Sequence, residues 1–541
     1  MITVKIKIEM TSRRQFLRLS VVGTGLTLLG RDLRTRSRAA ALSLWDSFRN
    51  RWPFNSPRNA GTTVLKVVSK PLTVHGRTVT RGSIQQADGT FGYVVTRDQG
   101  VDVEIVNTLE VPTTIHWHGL YIPNLQDGVP FVTQPPIPPG QSLRIQYPLL
   151  QDGTFWIHSH YGLQIQDYVS APFLVLTPEQ ERWADRDVTV MLRDFSFTPS
   201  DQILKNLIAG EDGGGTAMAK SLSNFAWNQP RDVLVQGWNP TSQRFEWRTD
   251  RQPVKQPDVV YDALLANDRT LDDPEVIEAR PGDTVVLRMI AASAFVSWFV
   301  DLGELVGTLL RTDANPVEPI EGSVFQLATA QRLAIRVTLP DEPGLFPVLA
   351  YGQRSNMRCG VVIRTSQELL PSLDPQTDQW IGRLSFLQEQ RLRSRTPLAS
   401  RPVDNEIPVA LTGPAPRYKW SLNNKVYPYR DPFRVRRGER VEIVFSNPSP
   451  MAHPMHLHGH EFEIVEINGQ RLQGATRDTV MVPSGETCRI AFDANQPGIW
   501  AFHCHITYHD AEGMFNVVAY DDADLRWWQP EQVDQEDLRF R

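Results

Sequence analysis

Short runs in which apolar and polar residues alternate recur along the whole chain. In "VDVEIVN" from Val101 the apolar side chains fall at alternate positions, and "RVEIVFS" from Arg440 follows the same rule more loosely. A period of two places successive side chains on opposite faces of an extended strand. The runs are punctuated by PG, DG and NQPG turns, with almost no helical periodicity between them. Such a pattern predicts an all-β protein built from β-sandwich domains.

The alternating segments are three copies of one unit. "VDVEIVNTLEVPTTIHWHG" from Val101, "DTVVLRMIAASAFVSWFV" from Asp283 and "RVEIVFSNPSPMAHPMHLHG" from Arg440 each read as strand, polar turn, strand. A second shared unit follows each of them: "PPGQSLRIQYPLLQDGTFWIHSHYG" from Pro138, "TAQRLAIRVTLPDEPGLFPVLAYGQ" from Thr329 and "PSGETCRIAFDANQPGIWAFHCHIT" from Pro483. The repeat predicts a first domain over 59–180, a second over 181–365 and a third over 401–525. A polar, Pro-punctuated linker over 366–400 precedes the third domain and a tail over 526–541 follows it. Aligning the second unit sets His158, Ser159 and His160 over Leu349, Ala350 and Tyr351, and over His503, Cys504 and His505. The middle copy has lost every candidate ligand.

Ten of the twelve histidines fall in four clusters: His116 and His118; His158 and His160; His453, His456 and His458; His503, His505 and His509. On a strand each HxH presents two imidazoles on one face, a natural metal clamp. His75 and His460 stand outside the set and read as ordinary histidines, His460 with a supporting place behind the metal site. In "HCH" the thiol of Cys504 points away from its two neighbours, so a metal held by Cys504 and metals held by His503 and His505 lie back to back. A thiolate with two imidazoles and a weak axial thioether is the donor set that selects blue copper. Cys504, His509 and Met514 supply three of these ligands within one segment, and a further histidine must come from elsewhere. Zinc is the rival for Cys/His sites, but closed structural zinc sites rarely include Met and do not need six further histidines.

Taken together, "HWHG", "HSH", "HPMHLHG" and "HCHITYHDAEGM" resemble the signature of the three-domain, laccase-like multicopper oxidases, over nearly the whole chain after residue 58. The third domain is most similar to bacterial oxidases, including those of copper-resistance type. The resemblance implies three cupredoxin-like Greek-key β-sandwich domains and four copper ions. Type 1 copper would take His453, Cys504, His509 and axial Met514. Type 2 copper would take His116 and His456, and the type 3 pair His118, His158, His160, His458, His503 and His505. The same resemblance makes Asp510 a proton relay and Asp127 an acid beside type 2 copper. It also makes His509 the type 1 ligand nearest solvent, the port for electrons. The reaction implied is oxidation of phenolic or amine donors, or of metal ions, coupled to reduction of dioxygen to water. The alternative is a periplasmic copper-resistance protein acting mainly by Cu(I) oxidation or copper binding.

Composition narrows this reading. A length of 541 residues allows several domains, and a net charge of -5 provides no broad basic surface for nucleic acid. Three cysteines are too few for a disulfide framework, and Cys359 and Cys488 read as core residues. Ten methionines with no Met-rich insert argue against a dedicated cuprous oxidase or a copper store. At the N-terminus "SRRQFL" before a short apolar run from Leu19 to Leu29 resembles a twin-arginine signal, so the Tat export machinery is an expected partner and a periplasmic or otherwise exported location is expected. Residues 1–58 are read as this signal and its lead, with Ala39 and Ala41 as the small residues of a cleavage site. No stable membrane span is expected, and the protein is expected to act as a monomer on dioxygen and a small reductant.

Overall fold

The computed structural model describes residue 45 and residues 61–210, 230–253, 257–428 and 431–523. The twin-arginine segment, most of the Gly-rich stretch after Ala209 and the 526–541 tail lie outside the described residues. The described strands form six sheets, two for each of the three repeats, so the all-β cupredoxin architecture expected from the alternation is the one observed. The first repeat pairs a four-stranded sheet around Thr63–Val74 and Val101–Asn107 with another containing His116–His118, Gly153–His158 and Ser170–Leu176. The second builds nine-stranded and five-stranded sheets between Arg186–Phe195 and Trp380–Ile381. The third pairs a sheet around Arg440–Ser446 and Thr487–Asp493 with one in which His453–Leu457 lies beside Ile499–Cys504.

Alternation is legible where one face of a strand meets the core. Val101–Asn107 buries every second residue, Val103 and Ile105 inward, whereas Gly153–His158 is buried throughout because it lies inside the molecule. The first and third repeats share one continuous core: Trp117, Ile157 and Phe173 belong to the same apolar cluster as Trp420, Met455 and Phe502. The middle repeat has a core of its own around Leu287, Val300 and Ile335. Joining the first repeat to the third brings their histidine strands together.

Two local features differ from the expectation. "SDQILKNLI" forms the helix Ser200–Ile208, which buries Ile203, Leu204 and Leu207 at helical spacing. The polar stretch after residue 365 is not a free linker: Trp380–Ile381 extends a sheet of the middle repeat, and buried Gln388 is held by Gln236 and Gln326. All three cysteines are free thiols and buried. No helix among the described residues is long and apolar enough to cross a membrane.

Candidate metal centre

The same register recurs in both metal-clamping repeats. His116 lies opposite His158 on paired antiparallel strands, and His456 lies opposite His503. The next pair on the second ladder is Met455 with Cys504, so Cys504 leaves the opposite face from His503. The two repeats then meet ring to ring. His116 stacks on His458 at 3.7 Å between centroids, and His118 on His456 at 3.8 Å. Eight imidazoles from His116, His118, His158, His160, His456, His458, His503 and His505 converge in one pocket between the first and third repeats.

Hydrogen bonds fix which nitrogen of each ring faces inward. A neutral imidazole carries one N–H, and a carbonyl or carboxylate partner marks where it sits. His116 Nδ1 donates to the Asp127 carbonyl at 2.9 Å, His456 Nδ1 to the Asp478 carbonyl at 2.8 Å, His158 Nδ1 to the Ser159 carbonyl at 3.0 Å and His503 Nδ1 to the Cys504 carbonyl at 3.0 Å. His458 Nδ1 donates to the Asp127 carboxylate at 2.9 Å. In each of these five rings the Nε2 lone pair points into the pocket. His118 is turned the other way: its Nε2 donates to Asp478 Oδ1 at 3.1 Å, leaving Nδ1 to face His158 Nε2 at 3.4 Å.

This arrangement fits metal ions and little else. The Nε2 atoms of His458 and His503 lie 3.1 Å apart, and those of His160 and His503 3.2 Å, with both His458 and His503 presenting lone pairs. Converging lone pairs repel unless a cation sits among them. Burial pushes His503 down to about 3 and holds His118, His158, His160, His456, His458 and His505 well below the ordinary histidine range, so protons do not supply that cation near neutral pH. His116 Nε2, His456 Nε2 and both nitrogens of His505 are buried with no hydrogen-bond partner. His160, His458 and His503 form one compact triad. His118, His158 and His505 form a second set, with ring centroids 5.1 to 5.5 Å apart.

The second site lies behind the strand. His453 Nδ1 and His509 Nδ1 are 3.6 and 3.7 Å from Cys504 Sγ and 3.2 Å from each other, a triangle of one sulfur and two nitrogens. His453 Nε2 donates to Ser449 Oγ at 2.7 Å, which aims Nδ1 at the sulfur. Burial pushes the Cys504 thiol up, so a thiolate here requires a bound cation. Met514 is fully buried, and its carbonyl accepts the Cys504 N–H at 3.0 Å, which closes the loop through His509.

The remaining candidates fall into place unevenly. Asp127 belongs to a DG turn and to the site together: its side chain is buried against His116 and His458, while Gly128 adopts φ +78 where a Cβ would collide with the Ile115 carbonyl. Asp510 is partly exposed, with Oδ1 3.8 Å from His503 Nδ1. His460 is a buried core residue bonded to the His458 carbonyl and the Tyr520 hydroxyl, and exposed His75 pairs with Asp272. His509, expected to be the type 1 ligand nearest solvent, is itself fully buried. Trp420 stacks on it at 3.9 Å, and Tyr418 and Phe295 flank the ring.

One group was not singled out from the sequence. Asp478 is fully buried, holds His118 through Oδ1 and pairs with Arg332 of the middle repeat at 2.7 Å. From Arg332 a chain of buried charges runs through Asp313 and Arg477 to Glu389. Asp478 and His118 lie 360 residues apart, and the only local signal is the charged "RD" before the apolar "TVMV".

Comparison with known proteins agrees with this geometry. Profiles of the multicopper oxidase family match residues 75–180, 186–365 and 400–524. The chain belongs to the multicopper oxidase family, copper-dependent oxidoreductases that use dioxygen. It is 27% identical to multicopper oxidase MmcO of Mycobacterium tuberculosis over 77% of this chain and 79% of that protein. It is 25% identical to copper resistance protein A of Escherichia coli over 95% of this chain and 99% of the relative. Its fold matches that of Fet3p, a multicopper oxidase that functions in iron import, with a TM-score of 0.66 at 20% identity, covering 88% and 94% of the two chains.

Proposed function

We propose that this protein takes electrons one at a time from a small phenolic or amine donor at the Cys504 site and passes four of them to dioxygen at the eight-histidine cluster. Four donors and four protons are consumed for each dioxygen, and two waters form. Copper bound in these sites supplies the one-electron redox chemistry. Type 1 copper is assigned to His453, Cys504, His509 and Met514, type 2 to His116 and His456, and the type 3 pair to the two histidine triads described above.

The observation that carries the reading is the strand Ile499–Cys504 and the His505 that follows it. Cys504 serves one site while His503 and His505 serve the other, so a few covalent bonds join the place where electrons arrive to the place where they are used. Asp127 orients His116 and His458, and Ser449 orients His453. Asp510, the partly exposed acid beside His503, is positioned to bring protons from solvent toward the cluster. The burial of His509 beneath Trp420 keeps water from the thiolate site.

Cys504→Ser tests the assignment. The variant is expected to lose the intense visible absorption and donor-driven oxygen uptake while retaining copper in the histidine cluster. Unchanged visible absorption would refute it.

Cu(I) oxidation is the second reading. It is favoured by the likeness to a copper resistance protein and by two thioethers, Met357 and Met451, in a cavity beside the Cys504 site. For location we propose export by the twin-arginine route, supported by Arg13 and Arg14 in "SRRQFL". Replacing both with Lys would hold active enzyme in the cytoplasm, and normal export of that variant would reject the route.

A further inference from the structure

A cavity of about 160 Å³ opens between the middle and third repeats, beside the Cys504 site. Phe295, in its wall, meets His509 edge to face at 5.9 Å between ring centroids. Ile506, also in the wall, directly precedes the helix Thr507–Ala511 that carries His509. On the other side Met451 accepts a hydrogen bond from Ser449, the hydroxyl that orients His453. The cavity therefore touches residues adjoining both imidazoles of the site.

Its chemistry is uneven. Tyr261, Leu264, Phe295 and Leu384 make an apolar wall, and a cavity of roughly 150 Å³ with such a lining accommodates one benzene ring. Two guanidinium-bearing residues, Arg354 and Arg383, line the same space, and among the described residues no Asp or Glu does. Their backbones meet where the Arg354 N–H donates to the carbonyl of Gly382, next to Arg383, at 3.3 Å, and their charges act on each other. Arg354 adopts φ +54, a conformation that non-glycine residues rarely take and that is often found where a ligand is held. Asp258 is the one carboxylate felt by Arg354 at longer range, and its Oδ2 already accepts the Tyr418 hydroxyl at 2.6 Å. Asp250 acts on Arg383 in the same way, but neither carboxylate lines the cavity, whose charged lining residues among those described are the two arginines.

We propose that this cavity holds the reducing donor and that the donor is a single-ring aromatic carboxylate bearing a phenol, its ring against Phe295 and its carboxylate on Arg354 and Arg383. A planar guanidinium pairs with a carboxylate through parallel hydrogen bonds, and two of them beside an apolar wall select an aromatic acid over a metal cation. The ring gives one electron to the Cys504 site and its phenolic proton to solvent, leaving a phenoxyl radical with the carboxylate intact. Four such events match one dioxygen. The inference rests on the Cys504 site being where electrons arrive.

Steady-state oxygen uptake by the copper-loaded enzyme with 4-hydroxy-3,5-dimethoxybenzoate and its methyl ester is the test. The acid is expected to show a KM about tenfold below the ester's, and Arg354→Gln with Arg383→Gln should raise the acid's KM to the ester's value. The same double variant should weaken competitive inhibition by 3,5-dimethoxybenzoate, which has no phenol to oxidise, by a similar factor. Visible absorption like the parent's shows that the double variant is folded. Equal KM values for acid and ester in the parent, or a preference that survives the double variant, would overturn the proposal. So would a lower KM for Cu(I) that rises in Met357→Leu or Met451→Leu. If Cys504→Ser still oxidised both donors, the underlying reading would fall; loss of the acid preference alone would remove only this inference.

Discussion

Asp127 Oδ2 lies 2.9 Å from Nδ1 of His458, so a buried carboxylate of the first repeat holds an imidazole of the third. The Asp127 carbonyl meanwhile takes His116 Nδ1 at 2.9 Å. One residue thus fixes two rings from different repeats, and both turn their Nε2 lone pairs toward the same pocket. Partners of this kind set ring orientation and basicity in metal sites.

Asp127 and Asp510 are expected to govern the oxygen end of the cycle and not the donor end. Asp127→Asn and Asp510→Asn should keep the visible absorption and its rapid bleaching by donor, while reoxidation by dioxygen slows by about tenfold or more, within the range of lost proton transfer. Stopped-flow mixing of the anaerobically reduced protein with dioxygen measures this. Reoxidation at the parent rate would show that Asp510 supplies no protons and that the hold of Asp127 on His458 does not matter to the oxygen step.

The buried pair of Asp478 and Arg332 couples the middle repeat to His118. Removing one partner of a buried pair leaves an uncompensated charge, which typically costs about 3–5 kcal/mol. Arg332→Met is therefore expected to lower the urea midpoint clearly. Freed from its guanidinium partner, Asp478 should also hold His118 less firmly and weaken copper binding about 10- to 100-fold. Urea titration and copper titration check the two effects. Parent-like values in both would contradict the role assigned to the pair.

The alternation of residues and the three-fold repeat made the fold legible, because a period of two and a repeated turn are local properties. The metal ligands were legible for the same reason: HxH on a strand places two rings on one face whatever the rest of the chain does. What could not be read depends on contacts between distant segments. The stack of Trp420 on His509 covers the ring expected to lie nearest solvent among the type 1 ligands, and it joins the strand Lys419–Leu422 to a helix almost 90 residues later. The grip of Asp478 on His118 spans all three repeats through Arg332. Ser200–Ile208 was missed because its apolar positions are few and lie between two polar stretches.

Copper removal should make stability depend on pH. In the unfolded chain the histidines take up protons as pH falls through about 6.5. In the fold, burial holds His453 and His503 neutral down to about 3, and other cluster histidines are shifted the same way. Below pH 6.5 the unfolded chain binds more protons than the folded one, so the copper-free protein loses stability as pH falls toward 4. Denaturant midpoints of chelated protein between pH 7.5 and 4.5 are expected to fall from near 6.5, above the carboxylate range. A midpoint flat until pH 5 would show that these histidines are protonated in the fold.

Delivery of four electrons to each dioxygen is read from the stoichiometry of dioxygen consumption. With a one-electron donor in limiting amount, copper-loaded protein is expected to consume one dioxygen for every four donors oxidised and to release no hydrogen peroxide. Two donors per dioxygen with peroxide accumulating, or donor oxidation with no dioxygen uptake, would contradict a cluster that delivers four electrons to dioxygen.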